Sequence, residues 1–123
     1  MIKITLPFPP SELSPNSRMH WSVLAKIKKA YREACWSCTL GQNKDPVPDG
    51  DLKLELLFVK PSRRVMDRDN LLARMKSGLD GVADALKIND NRFTTVIVRV
   101  APDDQIGGFV RIKIGEDDGE KTV

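Results

Sequence analysis

The segment with the clearest chemical potential runs from Arg63 to Asn70, where two aspartates alternate with arginines. In an extended backbone Asp67 and Asp69 point to the same side, and carboxylate oxygens are ligands that Mg2+ prefers. Neighbouring arginines suit the phosphate group that such a metal polarises. A metal site for phosphate chemistry is one interpretation. The other is that both aspartates only cap the helix that follows, a position where Asp is favoured.

A helix is predicted from Asp69 to about Lys87, with an apolar stripe of Leu72, Met75, Leu79, Val82 and Leu86. At about 100° per residue, Lys76 and Asp80 each lie about 20° from Asp69 around the helix. The three residues therefore share one polar edge. Lys76 and Asp80 form either a surface ion pair or the rim of a cleft, and the helical spacing favours neither.

A third acid, Asp90, follows this helix. A straight helix of this length spans about 27 Å, so Asp90 of the same chain would not reach Asp69. Either the helix ends early and the chain folds back, or Asp90 acts across a dimer interface.

The elements that must position these residues are predicted from periodicity. The order is β-α-β-α-β-β, an α+β domain over residues 1–114 with two helices on one face of a small mixed sheet. An acidic tail follows at 115–123. The uncovered face and an edge strand favour a homodimer. Strands are predicted at 2–6, 51–60, 94–101 and 109–114, helices at 21–41 and 69–87, and the last two strands are expected to form a hairpin closed by residues 103–108.

Charge is uneven along the chain. Residues 1–44 hold seven Lys or Arg and two Glu, whereas residues 115–123 hold four acids and one Lys. A basic first third is typical of proteins that bind nucleic acid. No apolar run approaches the roughly 20 residues of a membrane span and no signal peptide is evident, so we expect no membrane partner and a cytoplasmic, nucleoid-associated location.

The first helix carries two cysteines and two aromatic residues on its apolar face. Cys35 and Cys38 form a single C-x-x-C inside a helical pattern, which favours buried free thiols over zinc or redox chemistry. Trp21, Trp36 and Tyr31 could each stack on bases, but core packing is favoured for Trp21 and Tyr31.

Three segments resemble the RusA family of crossover-junction endodeoxyribonucleases, and most of all its phage and prophage branch. They are residues 67–72 (DRDNLL), 80–86 (DGVADAL) and 89–90 (ND), and the N-terminal residues 6–11 (LPFPPS) with Asn16 also fit. The resemblance covers about residues 2–114. It implies a homodimer that binds four-way (Holliday) junctions and uses Mg2+, with Mn2+ able to substitute, to nick two strands symmetrically during recombination and repair.

Carried over by position, the resemblance makes Asp67, Asp69 and Asp90 the acidic metal-site residues, with Asn70 supporting them. The family has a functional lysine where this chain has Ala73, a departure from the pattern. Lys76 is the first candidate to replace it and Arg74 the second, so Lys76 is predicted to be catalytic. The predicted DNA-binding residues are Asn16, Arg18, Lys26, Lys28, Lys29, Arg63, Arg64, Arg68, Asn70 and Arg74.

Two other functions fit parts of the pattern. The missing lysine at position 73 allows a branched-DNA-binding protein without catalysis. The two aspartates alone allow a Mg2+-dependent phosphohydrolase of another class, although the chain has no Gly-rich phosphate loop and the basic helix would then lack a role.

Overall fold

A computed structural model of the chain describes residues 1–117. Its centre is one four-stranded sheet with the strand order β1-β4-β2-β3. β2 and β3 are parallel, while β4 is antiparallel to both β1 and β2, so the sheet is mixed, as expected. The strands are β1 (Ile2–Pro7), β2 (Leu52–Val59), β3 (Phe93–Val100) and β4 (Phe109–Glu116).

The predicted hairpin between the last two strands is wrong. β4 inserts between β1 and β2, so the connection from β3 crosses the end of β2 instead of turning back beside β3. The Gly107 N–H donates to the Lys60 carbonyl and the Gly108 N–H to the Val59 carbonyl. Turn residues such as these permit a hairpin and a crossover alike; the choice depends on β4 pairing along both of its edges, which local sequence does not encode.

Three α-helices pack on the sheet, not the predicted two. They are α1 (Trp21–Gln42), α2 (Arg68–Arg74) and α3 (Lys76–Leu86), with 3-10 turns at Ser11–Leu13 and Asp90–Arg92.

The helix predicted over 69–87 is interrupted at Met75. The Met75 N–H bonds to the Leu72 carbonyl in a tightened last turn of α2, and α3 begins one residue later. Residues distant in the chain contact the break. The Tyr31 hydroxyl of α1 lies 3.2 Å from the Met75 sulfur, and Arg74 donates hydrogen bonds to two backbone carbonyls near the N-terminus. Tertiary contacts thus override a continuous apolar stripe.

Alternation along the strands divides the sheet into two faces. Even-numbered residues such as Ile4, Leu54 and Ile112 are buried in one apolar core together with Leu71, Met75 and Val82 of the helices. Odd-numbered residues point the other way, except Phe93, which precedes a register shift in β3 and packs against the core, and no helix of residues 1–117 shares a core with the residues of this second face. This second surface, the open sheet face, is formed by Lys3, Thr5, Lys53, Glu55, Leu57, Thr95, Ile97, Arg99, Phe109, Arg111 and Lys113.

Helices α1 and α3 approach each other through two glycines. A Cβ added at Gly81 would lie 2.2 Å from the Arg32 carbonyl oxygen, and one at Gly78 would lie 2.5 Å from the Tyr31 ring. The backbones therefore pack directly against each other. This α1–α3 seam fixes the position of α3 and, through it, the junction with α2.

The predictions for the first helix were partly confirmed. Tyr31 and Cys35 are buried, Cys38 is half-buried and both cysteines are free thiols. Burial raises the pKa of the Cys35 thiol to about 12 and also raises the pKa of Tyr31. Trp21, by contrast, is 75% exposed at the first turn of α1, so the prediction that it packs in the core was wrong.

β4 continues to Glu116, two residues beyond its predicted end. Residues 118–123 of the predicted acidic tail lie outside the described residues. Among residues 1–117, no helix combines the length and apolar character needed to cross a membrane.

Candidate metal and phosphate site

Asp67 caps the N-terminus of α2. Its backbone is extended, and its Oδ1 atom accepts a hydrogen bond of 2.9 Å from the Asp69 N–H. The capping interpretation is therefore confirmed for Asp67. Capping occupies one carboxylate oxygen, and the side chains of Asp67 and Asp69 are both exposed. Hard oxygen donors remain at this helix end, in the kind of set that Mg2+ binds.

A small open groove of about 170 Å3 runs beside Asp67. Asn70, Arg74 and Ser14 also line it, so the loop that follows the first 3-10 turn forms its opposite wall. The order of the chain explains this arrangement, since α2 begins just after the arginine-rich segment and packs against that turn. The N-terminus of α2 therefore opens onto a groove with polar groups on both sides.

A second groove, of about 380 Å3, begins at Arg74 and Ala73 and continues along α3. Lys28 of α1 forms part of its wall, with Lys76, Ser77 and Asp80 from α3. Two lysines thus point into a cleft that also contains position 73, where the resembling family has its functional lysine. The Ser77 Oγ is buried and has no hydrogen-bond partner among the described residues.

Lys76 and Asp80 do not form the surface ion pair that helical spacing allowed. The ion pairs among residues 1–117 are Arg32–Asp84 and Lys60–Asp103. Because Lys76 and Asp80 line the same groove instead, the structure supports the alternative interpretation of this edge as the rim of a cleft. The break at Met75 separates Asp69 from this edge, since Asp69 lines neither groove.

The Arg74 side chain makes structural contacts within the protein. Its Nη2 donates to the Pro9 carbonyl at 2.6 Å and its Nε to the Pro10 carbonyl at 3.2 Å, while the guanidinium lies 5.4 Å from the centroid of the Phe8 ring. Partial burial lowers the pKa of Arg74. These contacts tie α2 to the segment after β1. They leave Lys76, which is exposed and makes no ion pair, as the stronger candidate for the role of the family's lysine.

Asp90 lies at one end of the sheet. It opens the 3-10 turn that leads into β3, whose first residue, Phe93, pairs with Leu52 at the start of β2. The Arg92 guanidinium donates to the Pro48 and Gly50 carbonyls and fixes the turn there.

Asp67 lies at the opposite end. It shares its groove with Arg74, which is bound to the Pro9 and Pro10 carbonyls just beyond β1. The last residue of β1 pairs with Phe109, and Phe109 also pairs with Val59 at the end of β2. Strands of this length span about 23 Å.

The three acids consequently do not form one cluster within a single chain. Among residues 1–117 no three His, Cys, Asp or Glu side chains are grouped so that they could hold a metal ion. α2 does end early, at Arg74, but α3 begins at Lys76 and runs to Leu86 before the chain reaches Asp90. The route in which Asp90 joins Asp69 within one chain is therefore not realised among these residues.

The predicted DNA-binding residues fall into two groups. One group lies before and within α2 and consists of exposed Arg63, Arg64 and Arg68 together with half-buried Asn70 and Arg74. The other group lies on α1 and the loop before it and consists of Asn16, Arg18, Lys26, Lys28 and Lys29. Trp36, for which stacking on bases stayed open in the sequence, is 45% exposed on α1 beside Lys29 and the Arg32–Asp84 ion pair.

No family model matches the chain. An uncharacterized protein from Xylella fastidiosa (strain Temecula1 / ATCC 700964) is 44% identical over 103 residues, which cover 77% of this chain. The match covers 64% of the length of that relative.

Proposed function

We propose that this protein is a Mg2+-dependent endonuclease that resolves four-way DNA junctions by paired nicks. The observation that carries the proposal is the exposed pair Asp67 and Asp69 at the start of α2. Asp67 lines one groove with Asn70, and Arg74 lines both this groove and the second one, which contains Lys76 and Lys28. Together these residues combine oxygen donors for a hard cation with lysines suited to phosphate. The resemblance of residues 67–72, 80–86 and 89–90 to the RusA family supplies the substrate class.

The chain's own residues would divide the work as follows. Asp67 and Asp69 would hold the cation, which would polarise the scissile phosphate and assist its hydrolysis. Asn70 supports this helix end from the groove. Lys76 and Lys28 attract the phosphate into the second groove and offset its charge. Exposed Arg63, Arg64 and Arg68 contact the DNA backbone nearby.

A second copy of the chain completes this site in our proposal. β3 is an edge strand of the sheet, so among the described residues one side of its backbone is not paired with another strand. Antiparallel pairing of β3 with the same strand of a second copy would reverse the second strand. Asp90 of the partner subunit would then come to the end of the sheet that carries Asp67, and each homodimer would contain two shared sites, as paired nicking requires.

The test is incubation of the purified protein with a labelled four-way junction and a matching linear duplex, each with and without Mg2+. We expect paired nicks in the junction only, dependent on Mg2+, and loss of cutting but not of binding in Asp69→Asn. Asp49→Asn, the same change at an exposed loop position, is the control and should cut normally. Normal cutting by Asp69→Asn would disprove the site. Binding without any cutting by the unaltered protein would favour the alternative, a branched-DNA-binding protein without catalysis. The reason for considering that alternative is Ala73, which stands where the family has its lysine.

Mixed dimers test the shared site. Asp69→Asn and Asp90→Asn should each be inactive alone. If Asp90 acts across the interface, a mixed dimer of the two variants contains one intact site and recovers single nicks. If it acts within its own chain, both sites of the mixed dimer are defective and mixing recovers nothing.

A further inference from the structure

The open sheet face carries a concentration of positive charge that the proposed active site does not use. Lys3, Arg99, Arg111 and Lys113 are exposed on it and Lys53 is half-buried. Glu55 is the acidic residue among the strand positions of this face, while Asp117, just past β4, accepts hydrogen bonds from Thr94 and Thr95 at its margin. Five cations against one strand acid leave the face strongly positive.

The pairing register sets these cations close together. Lys3 pairs directly with Lys113, and Arg111 and Arg99 flank Leu57 from the two neighbouring strands. At about 4.8 Å between strands, the α-carbons of Arg99 and Arg111 are about 10 Å apart. Such a density of like charge is unfavourable unless a counter-charge is bound.

The described residues offer little counter-charge. Their ion pairs, Arg32–Asp84 and Lys60–Asp103, lie elsewhere. Arg111 instead lies over the Phe109 ring, 5.1 Å from its centroid, and its side chain is exposed. Arg99, Arg111 and Lys113 surround a shallow depression of about 180 Å3 with Glu55 at one side.

We infer that the open sheet face is a second DNA-contact surface, which binds the phosphate backbone of a duplex arm. The inference rests on the proposed function for the identity of the polyanion, and on charge complementarity for the surface. A second copy of this chain is disfavoured as the occupant, because two such faces packed together would bring ten cations into one interface.

Basic residues lie on both sides of the sheet. Lys26, Lys28 and Lys29 belong to α1, which packs on the other side of the sheet. Each protomer therefore presents basic surfaces on its two opposite sides. A homodimer would present four, equal to the number of arms in a four-way junction, and selection for branched over linear DNA would follow from engaging more than one arm at once.

The experiment compares two double variants of equal charge in the full chain, both built on Asp69→Asn so that binding is measured without cutting. One is Arg99→Gln with Lys113→Gln on the open sheet face. The other, as control, is Lys44→Gln with Lys87→Gln, two exposed lysines that lie outside the open sheet face, both grooves and the predicted DNA-binding residues. The probes are a labelled four-way junction and a linear duplex, titrated over a series of salt concentrations, with elution volume and melting temperature recorded for each protein.

We expect the sheet-face pair to bind the junction about tenfold more weakly, and the slope of log K against log salt to fall by about 1.8, the value for two lost phosphate contacts. The control pair should change neither by more than a small amount, and all the proteins should melt and elute alike. Equal affinity and equal slope for the two pairs would overturn the inference while leaving the proposed function standing. A changed elution volume for the sheet-face pair alone would make the face an interface between copies and also overturn it. If Asp69→Asn itself binds neither probe, the proposed function fails and the inference with it.

Discussion

The α1–α3 seam and the segment from Pro61 to Asp69, which leads into the first turn of α2, are opposite kinds of structure within one small domain. At the seam, Gly78 and Gly81 bring two helix backbones into contact and leave no room for one added carbon. In the segment from Pro61 to Asp69, every residue except Met66 is exposed, and Val65 is 90% exposed. The seam is determined by packing, so its sequence is constrained by shape. The segment is not packed into the core, so its charged side chains stay in solvent, where they are available for binding.

Adding one methyl group at the seam should give the largest effect on stability. Gly81→Ala places a Cβ against the Arg32 carbonyl, and we expect a loss of about 3 kcal/mol in the free energy of unfolding, since backbone atoms cannot give way cheaply. Chemical denaturation measures this directly. Gly41→Ala, in α1 with nothing near the added carbon, should be neutral or slightly stabilising. If the two variants unfold alike, the helices are not in close contact.

Removing charge in the exposed segment should affect cutting and not stability. Asp67→Asn keeps a residue that caps helices well, so unfolding should change by less than about 0.5 kcal/mol, whereas cutting should fall at least about a hundredfold. Asp67→Ala removes the cap as well and should cost about 1 kcal/mol. Nuclease assays and denaturation of both variants separate capping from metal binding, and undiminished cutting by Asp67→Asn would leave capping as the only role.

Arg74 connects the two regions and should show an intermediate effect. Arg74→Ala removes the bonds to the Pro9 and Pro10 carbonyls and the contact with Phe8, and we expect a loss of about 1–2 kcal/mol. Arg68→Ala, nearby and exposed, should stay within about 0.5 kcal/mol. A larger loss for Arg68→Ala than for Arg74→Ala in denaturation experiments would show that the segment before α2 is packed after all.

The free energy of unfolding should fall gradually at high pH because two buried groups at the seam, Cys35 and Tyr31, resist ionisation. The folded-state pKa of the Cys35 thiol is about 12 against an ordinary value of 9.0, mainly because of burial. The unfolded chain therefore loses this proton first, and the stability contribution is complete below about pH 9 and declines as pH rises towards about 12. The raised pKa of Tyr31 acts in the same direction at still higher pH. Denaturation at pH 8 and pH 10.5 measures the decline, and Cys35→Ala should reduce it; an unchanged slope in that variant would exclude the thiol as a cause.

The strands and α1 could be predicted from the sequence because their signals are local. Alternation in residues such as Leu52, Leu54 and Leu56 marks a half-buried strand wherever it lies in the sheet. The break at Met75 and the insertion of β4 could not be predicted, because each depends on partners distant in the chain. Trp21 was misplaced for a related reason: helical spacing put it on the apolar face, but α1 extends beyond its packing partners at that end.

By itself, the sequence determined the chemistry available to this protein: two aspartates in a charged segment, a basic first helix, and strands with cations at alternate positions. Residue type and short spacing are sufficient for that, since they set which groups occur and which of them share an element. The tertiary structure alone decided how those groups combine. It separated Asp90 from Asp67, turned Lys76 into a groove with Lys28, and gathered Lys3, Arg99, Arg111 and Lys113 from three strands onto one face. Such distances depend on strand order and helix packing, which are set by the whole core at once.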